Sequence, residues 1–135
     1  MTVNLKNKKV LITGASGGIG YSLVKSFLES GAIVMGSGTN EDKLKKLTSE
    51  FKDIKTKKFN LQSHESIEEF INTCHSELNG LDVLVNNAGI NLDNLSIRLT
   101  EENWKKVIDI NLSSTFLLCK STIKKMLKNK KGKII

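Results

Sequence analysis

Short apolar runs alternate along the chain with longer segments that have helical periodicity. The runs 9–13, 32–35 and 81–85 have the length and composition of buried strands, and segment 54–61 is predicted to be a further strand. Strands that are apolar at consecutive positions are typical of parallel sheets that are covered on both faces. Residues 132–135 are predicted to be the first residues of a fifth strand.

The intervening segments carry apolar side chains three and four residues apart, the spacing of a helix with one buried face. This spacing predicts a helix over 19–30 and another that ends before Gly80. A helix between them begins after Asn40, whose side chain can cap it. A long helical pattern begins after Thr100 and continues to about residue 129.

Strict alternation of strand and helix predicts right-handed crossovers and a doubly wound parallel α/β sheet with helices on both faces. The length of 135 residues predicts one domain. A sheet that stops at the start of its fifth strand has an open edge. We therefore expect residues 1–135 to be the N-terminal part of a single larger domain.

Composition narrows the class of protein. The chain is 39% hydrophobic and 26% charged, which is ordinary for a globular domain. It contains no apolar stretch long enough to span a membrane, and residues 1–9 do not resemble a signal peptide. Cys74 and Cys119 lack the spacing of metal ligands, so we expect reduced thiols, no metal site, and a location in the cytoplasm or an organellar matrix.

The net charge of +7 raises the question of an acidic partner. The lysines are spread over several segments without interleaved aromatic residues, which argues against nucleic-acid binding. Six lysines do cluster near the end of the chain: Lys124, Lys125, Lys128, Lys130, Lys131 and Lys133. This cluster favours an acidic protein partner over a nucleic acid.

A glycine-rich loop lies between the first strand and the first helix, where Gly14, Gly18 and Gly20 have the pattern G-x-x-x-G-x-G. Such glycines allow a tight turn, a close approach of the backbone to a pyrophosphate and tight packing of the helix. The N-terminus of the helix favours phosphate, and Thr13 and Ser16 add hydroxyl groups. Between a strand and a helix, this loop predicts a dinucleotide site of Rossmann type.

The end of the second strand indicates which dinucleotide is bound. NAD sites usually have a carboxylate there for the ribose hydroxyls, but residues 35–40 contain none. Thr39 and Asn40 can bind a 2′-phosphate instead, and Lys43 lies one helical turn further on. This pattern favours NADP over NAD, although no arginine is present in or next to this segment to neutralise the phosphate.

Asn86-Asn87-Ala88-Gly89 follows another predicted strand. Alone, it is equally typical of a stable turn, because asparagine binds its own backbone. Together with Thr13-Gly14-x-x-x-Gly18-Ile19-Gly20, it resembles the short-chain dehydrogenase/reductase family. The resemblance implies that the first asparagine braces the strand ends, while the second and the Ala-Gly backbone line the cofactor.

The same resemblance assigns roles to residues elsewhere in the chain. Asn60 and Leu61 fall where the family contacts adenine, although asparagine replaces the usual acidic residue. Asn111 matches the family's helix asparagine, whose carbonyl holds a water linked to the catalytic lysine. Gly17 replaces an arginine that many members use to hold the 2′-phosphate.

These assignments give one catalytic candidate, Asn111, and a set of cofactor-binding candidates. The cofactor-binding candidates are Thr13, Gly14, Ala15, Ser16, Gly17, Gly18, Ile19, Gly20, Thr39, Asn40, Asn60, Leu61, Asn87, Ala88 and Gly89.

Within the family, segments 89–99, 101–104 and 111–116 are similar to those of 3-oxoacyl-acyl-carrier-protein reductases. The resemblance implies NADPH-dependent reduction of a 3-oxoacyl thioester in fatty acid synthesis, by a homotetramer. It also implies docking of the acidic acyl carrier protein. We expect that docking at Lys128, Lys130 and Lys131.

The family's proton donor is the tyrosine of a Tyr-x-x-x-Lys segment, which would follow Ile135. The one tyrosine here, Tyr21, falls in the first predicted helix. We therefore expect the 135 residues alone to lack reductase activity. Two alternatives stay open: a dinucleotide-binding fragment without catalysis, and a reductase of another alcohol or ketone.

Overall fold

The structure, a computed structural model, describes residues 4–135. Its strands are β1 (Lys9–Thr13), β2 (Ile33–Gly38), β3 (Lys55–Lys58), β4 (Val83–Val85) and β5 (Lys133–Ile134). Its α-helices are α1 (Gly18–Glu29), α2 (Glu41–Glu50), α3 (Ile67–Leu78), α4 (Glu101–Ile108) and α5 (Ser114–Lys128). A 3₁₀ turn (His64–Ser66) precedes α3, and a π-helical segment (Asp109–Ser113) joins α4 to α5.

The five strands form one parallel sheet in the order β3-β2-β1-β4-β5. Val10 pairs with Val34 on one side and with Val83 on the other. The chain moves outward from β1 to β3, then returns to the other side of β1 for β4. The carboxyl ends of β1 and β4 therefore flank a topological switch point, where ligands bind in open α/β sheets.

Two separate cores cover the two faces of the sheet, because successive strand residues point to opposite sides. Val10 and Ile12 pack in one core with residues of α1 and α2. Leu11 and Leu84 pack in the other with residues of α3 and α5. This arrangement confirms the doubly wound α/β fold predicted from the alternation of elements.

Cys74 lies fully buried in the second core. Burial raises the pKa of its thiol to about 12, so the group stays protonated at neutral pH. Cys74 therefore packs as an ordinary apolar side chain of the hydrophobic core.

Two strand boundaries differ from the prediction. β2 was predicted to end at Met35 but continues to Gly38, and a Cβ at Gly36 would lie 2.6 Å from the Cβ of Ala15. Glycine is needed there because the loop after β1 crosses closely over β2. β3 was predicted over 54–61 but covers only 55–58, since the chain turns where the Asn60 side chain accepts a hydrogen bond from the Gln62 N–H.

The capping predictions are confirmed, but the predicted helix from Thr100 to about residue 129 is interrupted. The side chain of Asn40 accepts a hydrogen bond from the backbone N–H of Lys43, and that of Thr100 accepts one from Asn103. Between α4 and α5, the N–H of Ser114 donates to the carbonyl of Asp109, five residues earlier. This pairing makes the segment π-helical instead of α-helical.

Within residues 4–135, no helix has both the length and the apolar character needed to cross a membrane.

Candidate functional site

A cavity of about 540 Å³ lies at the carboxyl ends of β1, β2 and β4. The loops after four strands line it, through Thr13, Gly14 and residues 16–20, 37–40, 59–61 and 87–90; Lys43 and Ile110 complete the wall. The cavity thus occupies the switch point of the sheet and brings the predicted glycine loop and the Asn87–Gly89 segment together.

Thr13 forms the junction between the two central strands. Its hydroxyl is buried and accepts hydrogen bonds from the N–H groups of Asn87, at 3.1 Å, and Ala88, at 3.0 Å. It donates to the carbonyl of Val85 at 3.3 Å. One donor and two acceptor positions are all that a hydroxyl has, so the group is fully used.

The side-chain amide of Asn87 fixes the start of the glycine loop. Its Nδ2 lies 3.0 Å from the Thr13 carbonyl oxygen and 3.1 Å from that of Gly14. Gly14 has φ +64°, and a Cβ there would lie 2.8 Å from the Cα of Ala88. The two segments therefore pack backbone against backbone, and a side chain at position 14 would separate them.

The start of α1 is built to receive an anion. Among the described residues, no side chain caps this helix, so its first N–H groups are open to a ligand at its positive end. A Cβ at Gly18 would meet no atom within 4 Å, whereas one at Gly20 would clash with the Gly14 carbonyl. Gly18 therefore leaves space in front of the helix, and Gly20 allows the loop to fold tightly behind it.

The electrostatic character of the cavity favours an anionic ligand. Among residues 4–135, Lys43 is the only charged residue in the lining. Glu41, the first acidic residue after β2, lies 3.5 Å from Lys45 and 3.6 Å from Lys58, measured between charged atoms. The carboxylate missing from the end of β2 is thus not supplied by another segment of the described chain.

A second cavity of about 500 Å³ adjoins the first, between α1 and α2. It shares Lys43 with the first cavity, and Lys46 is a second cation in its wall. Its acidic residue, Glu50, accepts a short hydrogen bond from the hydroxyl of Tyr21. That bond is the main reason that the pKa of Tyr21 is raised, so this tyrosine stays protonated between α1 and α2, outside the lining of the first cavity.

The opposite end of the cavity is formed after β3. Leu61 is nearly buried in the wall, and Asn60 is exposed beside it. The Asn60 side-chain oxygen accepts a hydrogen bond from the Gln62 N–H at 3.0 Å, which leaves the side-chain N–H₂ as its free donor. The usual family carboxylate could only accept there, so this amide changes what position 60 can bind.

Asn111 holds the loop after Gly89. Its side-chain oxygen accepts from the Ile90 N–H at 2.8 Å, and its Nδ2 donates to the Ile90 carbonyl at 2.8 Å. The side chain thus pairs with both backbone groups of one residue. Asn111 lies outside the cavity lining, while its neighbour Ile110 is part of it.

The brace expected of Asn86 is present at the other end of the same segment. Its N–H donates to the carbonyl of Ile135 at 2.8 Å, and its Nδ2 lies 3.3 Å from the same oxygen. This contact ties the end of β4 to the end of β5.

The cavity contains fourteen of the fifteen predicted cofactor-binding residues. The exception is Ala15, which is fully buried beneath the loop and donates its N–H to the Ser37 carbonyl. Six further residues line the cavity: Ser37, Gly38, Lys43, Phe59, Ile90 and Ile110. The first three lie in or next to the segment whose sequence favours NADP, whereas sequence reasoning missed Phe59, Ile90 and Ile110. Phe59 and Ile90 are direct neighbours of predicted residues, but the periodicity around Ile110 resembles that of any buried helical residue.

The residues present fit a dinucleotide. The open space at Gly18 and the free start of α1 suit a diphosphate, and the exposed side chain of Ile19 offers an apolar surface next to it. Phe59 and Leu61 suit an aromatic base at the other end. In contrast, no group of three His, Cys, Asp or Glu side chains in the described part of the chain is placed to hold a metal ion.

The chain is similar to known proteins of one family. The family profile described as short chain dehydrogenase matches residues 8–135. The chain is 45% identical to the 3-oxoacyl-[acyl-carrier-protein] reductase FabG of Rickettsia felis, over 98% of this chain and 54% of that protein. It is 40% identical to the reductase of the same name from Vibrio cholerae, over 98% of this chain and 55% of that protein.

A solved structure, the crystal structure of gox2181, matches with a TM-score of 0.92 at 27% identity. The match covers 97% of this chain and 53% of that one. The chain therefore spans about half the length of the curated relatives and of the solved structure that it matches.

The Thr13 junction yields a prediction about stability. Thr13→Val keeps the shape of the side chain but leaves the Ala88 N–H without a partner, while the Asn87 N–H keeps only the Val85 carbonyl, at 3.1 Å. We expect the free energy of unfolding to fall by about 2 kcal/mol, the typical cost of unsatisfied buried groups. Urea denaturation measures this change.

The control for this experiment is Thr73→Val, because the Thr73 hydroxyl donates to the backbone carbonyl of Glu69 within its own helix. We expect a change of less than about 0.5 kcal/mol there, as for most substitutions that remove no tertiary contact. Equal losses for the two variants would show that the junction has no special role.

Proposed function

The chain belongs to the short chain dehydrogenase family, and we propose that it forms the NADPH-binding half of a 3-oxoacyl-acyl-carrier-protein reductase. The proposed reaction reduces a 3-oxoacyl group on the carrier protein to a 3-hydroxyacyl group in fatty acid synthesis. The observation that carries the proposal is the cavity at the switch point, where the open start of α1 faces a lining whose one charge is Lys43.

Two further observations support this reaction over that of another reductase. Similarity to proteins named 3-oxoacyl-[acyl-carrier-protein] reductase extends over 98% of the chain. The segment 89–99, which resembles that group, lies beside the cavity and is anchored to it by the bonds between Asn111 and Ile90.

Cys74 and Cys119 are free thiols, which fits a reducing compartment such as the cytoplasm or an organellar matrix.

The chain's own residues have a binding and positioning role in this proposal. The N–H groups at the start of α1 hold the diphosphate, Asn60 and Leu61 flank the base, and Asn87 fixes the loops around them. A bound nicotinamide would supply the hydride for reduction of a carbonyl carbon. Asn111 serves by holding Ile90, next to the Ala88–Gly89 wall of the cavity.

Proton donation is not assigned to Tyr21. Its hydroxyl is bonded to Glu50 between α1 and α2, and this bond raises its pKa, the opposite of what a proton donor needs. The proposal gives that step to a Tyr-x-x-x-Lys segment outside these 135 residues, so we expect the 135 residues alone to bind NADPH without reducing a 3-oxoacyl substrate.

The preference for NADPH over NADH rests on Lys43. Thr39 and Asn40 line the cavity beside it, and Lys46 lies one turn further along α2 in the adjoining cavity. These two lysines can supply the charge that the family often takes from an arginine at position 17. The side-chain oxygen of Asn40 is committed to capping α2, which leaves its N–H₂ for a phosphate oxygen.

We predict that the chain binds NADPH more tightly than NADH and that Lys43→Gln removes most of this difference. Loss of one phosphate contact should weaken NADPH binding about tenfold, or about 1.4 kcal/mol, while NADH binding changes little. Titration of the intrinsic fluorescence of each reduced cofactor measures both affinities.

Lys45→Gln is the matched control, since Lys45 lies on the same helix but pairs with Glu41 and does not line the cavity. Equal affinity of the unmodified chain for the two cofactors would contradict the assignment of NADP. A Lys45 effect as large as that of Lys43 would contradict the role of Lys43.

An exposed apolar stripe along α4, the π-helical segment and α5 supports the proposal of a homo-oligomer, which the resemblance extends to a homotetramer. Its members are large side chains that are 44% to 67% exposed: Trp104, Leu112, Phe116, Ile123 and Leu127. Contiguous exposed apolar surface of this kind typically marks a protein–protein contact.

The proposed docking site for the acyl carrier protein lies beyond this stripe, at the end of α5. Lys128, Lys130 and Lys131 are exposed and, within residues 4–135, form no salt bridge. In contrast, Lys124 is held by Glu68, whose pKa it lowers. Three cations without intramolecular partners form a suitable surface for an acidic protein.

We predict that Lys130→Glu weakens the binding of acyl carrier protein about tenfold at low ionic strength. The difference should shrink as salt is raised, because the charges are exposed and screened. Surface plasmon resonance at several salt concentrations measures this dependence. The control is Lys52→Glu, which changes an exposed lysine after α2. The docking site would be contradicted if Lys130→Glu left carrier binding unchanged, or if both variants weakened it equally.

A further inference from the structure

His64 connects two segments that are distant in the chain. Its ring nitrogen Nε2 lies 3.1 Å from the carbonyl oxygen of Asp109 and 3.1 Å from the hydroxyl of Ser114. His64 begins the 3₁₀ turn that follows Leu61, whereas Asp109 and Ser114 bound the π-helical segment between α4 and α5. None of these three residues has a role in the function proposed above.

The positions of the protons follow from the partners. A carbonyl oxygen only accepts, so the His64 Nε2 must carry the hydrogen that points toward Asp109. The hydroxyl of Ser114 is buried and lies 2.6 Å from the carbonyl of Leu61, the nearer of its two acceptors. The link therefore runs from His64 to the π segment, and from Ser114 back to Leu61 in the cavity wall.

This link stabilises the irregular helix. In an α-helix, the carbonyl of Asp109 would accept from the N–H of residue 113, but here it accepts from Ser114, one residue later. His64 supplies a second donor to the same carbonyl. Without it, a return to α-helical pairing would rotate Asn111 by about 100° relative to α5, the turn of one helical residue. Asn111 would then lose its two bonds with Ile90.

We propose that His64 is a positioning residue that fixes the base end and the Gly89–Ile90 end of the dinucleotide cavity relative to each other. At the base end, the link reaches Leu61 through Ser114; at the other end, it reaches Ile90 through the π segment and Asn111. The part that concerns nucleotide affinity depends on the proposed function. The mechanical link between His64 and Ile90 does not depend on it.

Two measurements on the 135-residue chain test the proposal: NADPH affinity, and the hydrogen-exchange rate of the Ile90 amide by NMR. In His64→Ala, we expect NADPH binding to weaken and Ile90 exchange to accelerate, each by about threefold to tenfold, as for the loss of one hydrogen bond. His64→Gln keeps an N–H donor near the position of Nε2, so we expect it to restore both values to within about twofold.

Two more variants make the test independent of general destabilisation. Ser114→Ala removes a hydroxyl that also lies 2.8 Å from the Asp109 carbonyl and 3.1 Å from Nε2 of His64. It therefore loosens the same π segment and should accelerate Ile90 exchange, which gives a second measurement if His64→Ala folds poorly. His75→Ala, on α3, changes the other histidine of the chain and should alter neither value. Thermal melting followed by circular dichroism identifies any variant that is unfolded.

The proposal is wrong if Ile90 exchange is unchanged in folded His64→Ala or Ser114→Ala, or if His64→Gln behaves like His64→Ala. If the unmodified chain does not bind NADPH, the proposed function fails, and Ile90 exchange still decides whether the link exists. If NADPH binds and Ile90 exchange responds but affinity does not, the role in fixing the nucleotide cavity is contradicted.

Discussion

The buried hydroxyl of Thr13 is the contact on which the site depends. It lies where β1 and β4 end side by side, and it accepts hydrogen bonds from two backbone N–H groups of the segment that follows β4. In the other direction, the side-chain amide of Asn87 donates hydrogen bonds to the backbone carbonyls of Thr13 and Gly14. Two strands that are far apart in the sequence are thereby fixed at one point, and the glycine loop and the start of α1 take their positions from it.

The charge of the cavity follows from this geometry. The loop turns tightly at Gly14, and α1 begins at its far end with its N–H groups open. Because no acidic side chain of the described residues lines the cavity, the helix dipole and Lys43 together set a positive potential. In the function proposed above, the helix dipole would stabilise the diphosphate of NADPH, and Lys43 would stabilise the additional phosphate on its ribose.

Much of this site could be predicted because its residues are constrained by their chemistry. Gly14 must adopt a positive φ, Asn40 and Thr100 must cap helices, and strand residues must alternate between two cores. These requirements are local and leave a pattern in the sequence. They account for the parallel sheet and for most of the cavity wall.

The features that were missed depend on contacts between distant segments. Gly36 and Gly38 look like loop residues, but they belong to β2 because they pair with β3, and Ala15 and Ser16 pack closely over them. The π-helical segment has no periodicity of its own, and it is held by His64, which is 45 residues away from Asp109. Such contacts cannot be derived from local periodicity, since each partner alone resembles an ordinary turn or helix residue.

The central claim is that the space in front of Gly18 receives the diphosphate of NADPH. A Cβ at position 18 meets no atom within 4 Å beyond its own helical turn, so we expect Gly18→Val to leave the melting temperature nearly unchanged. The same side chain would occupy the ligand's space, and we expect NADPH affinity to fall by about tenfold or more, equivalent to at least about 1.4 kcal/mol. A Gly18→Val chain that is folded and binds NADPH as tightly as the unmodified chain would contradict the account.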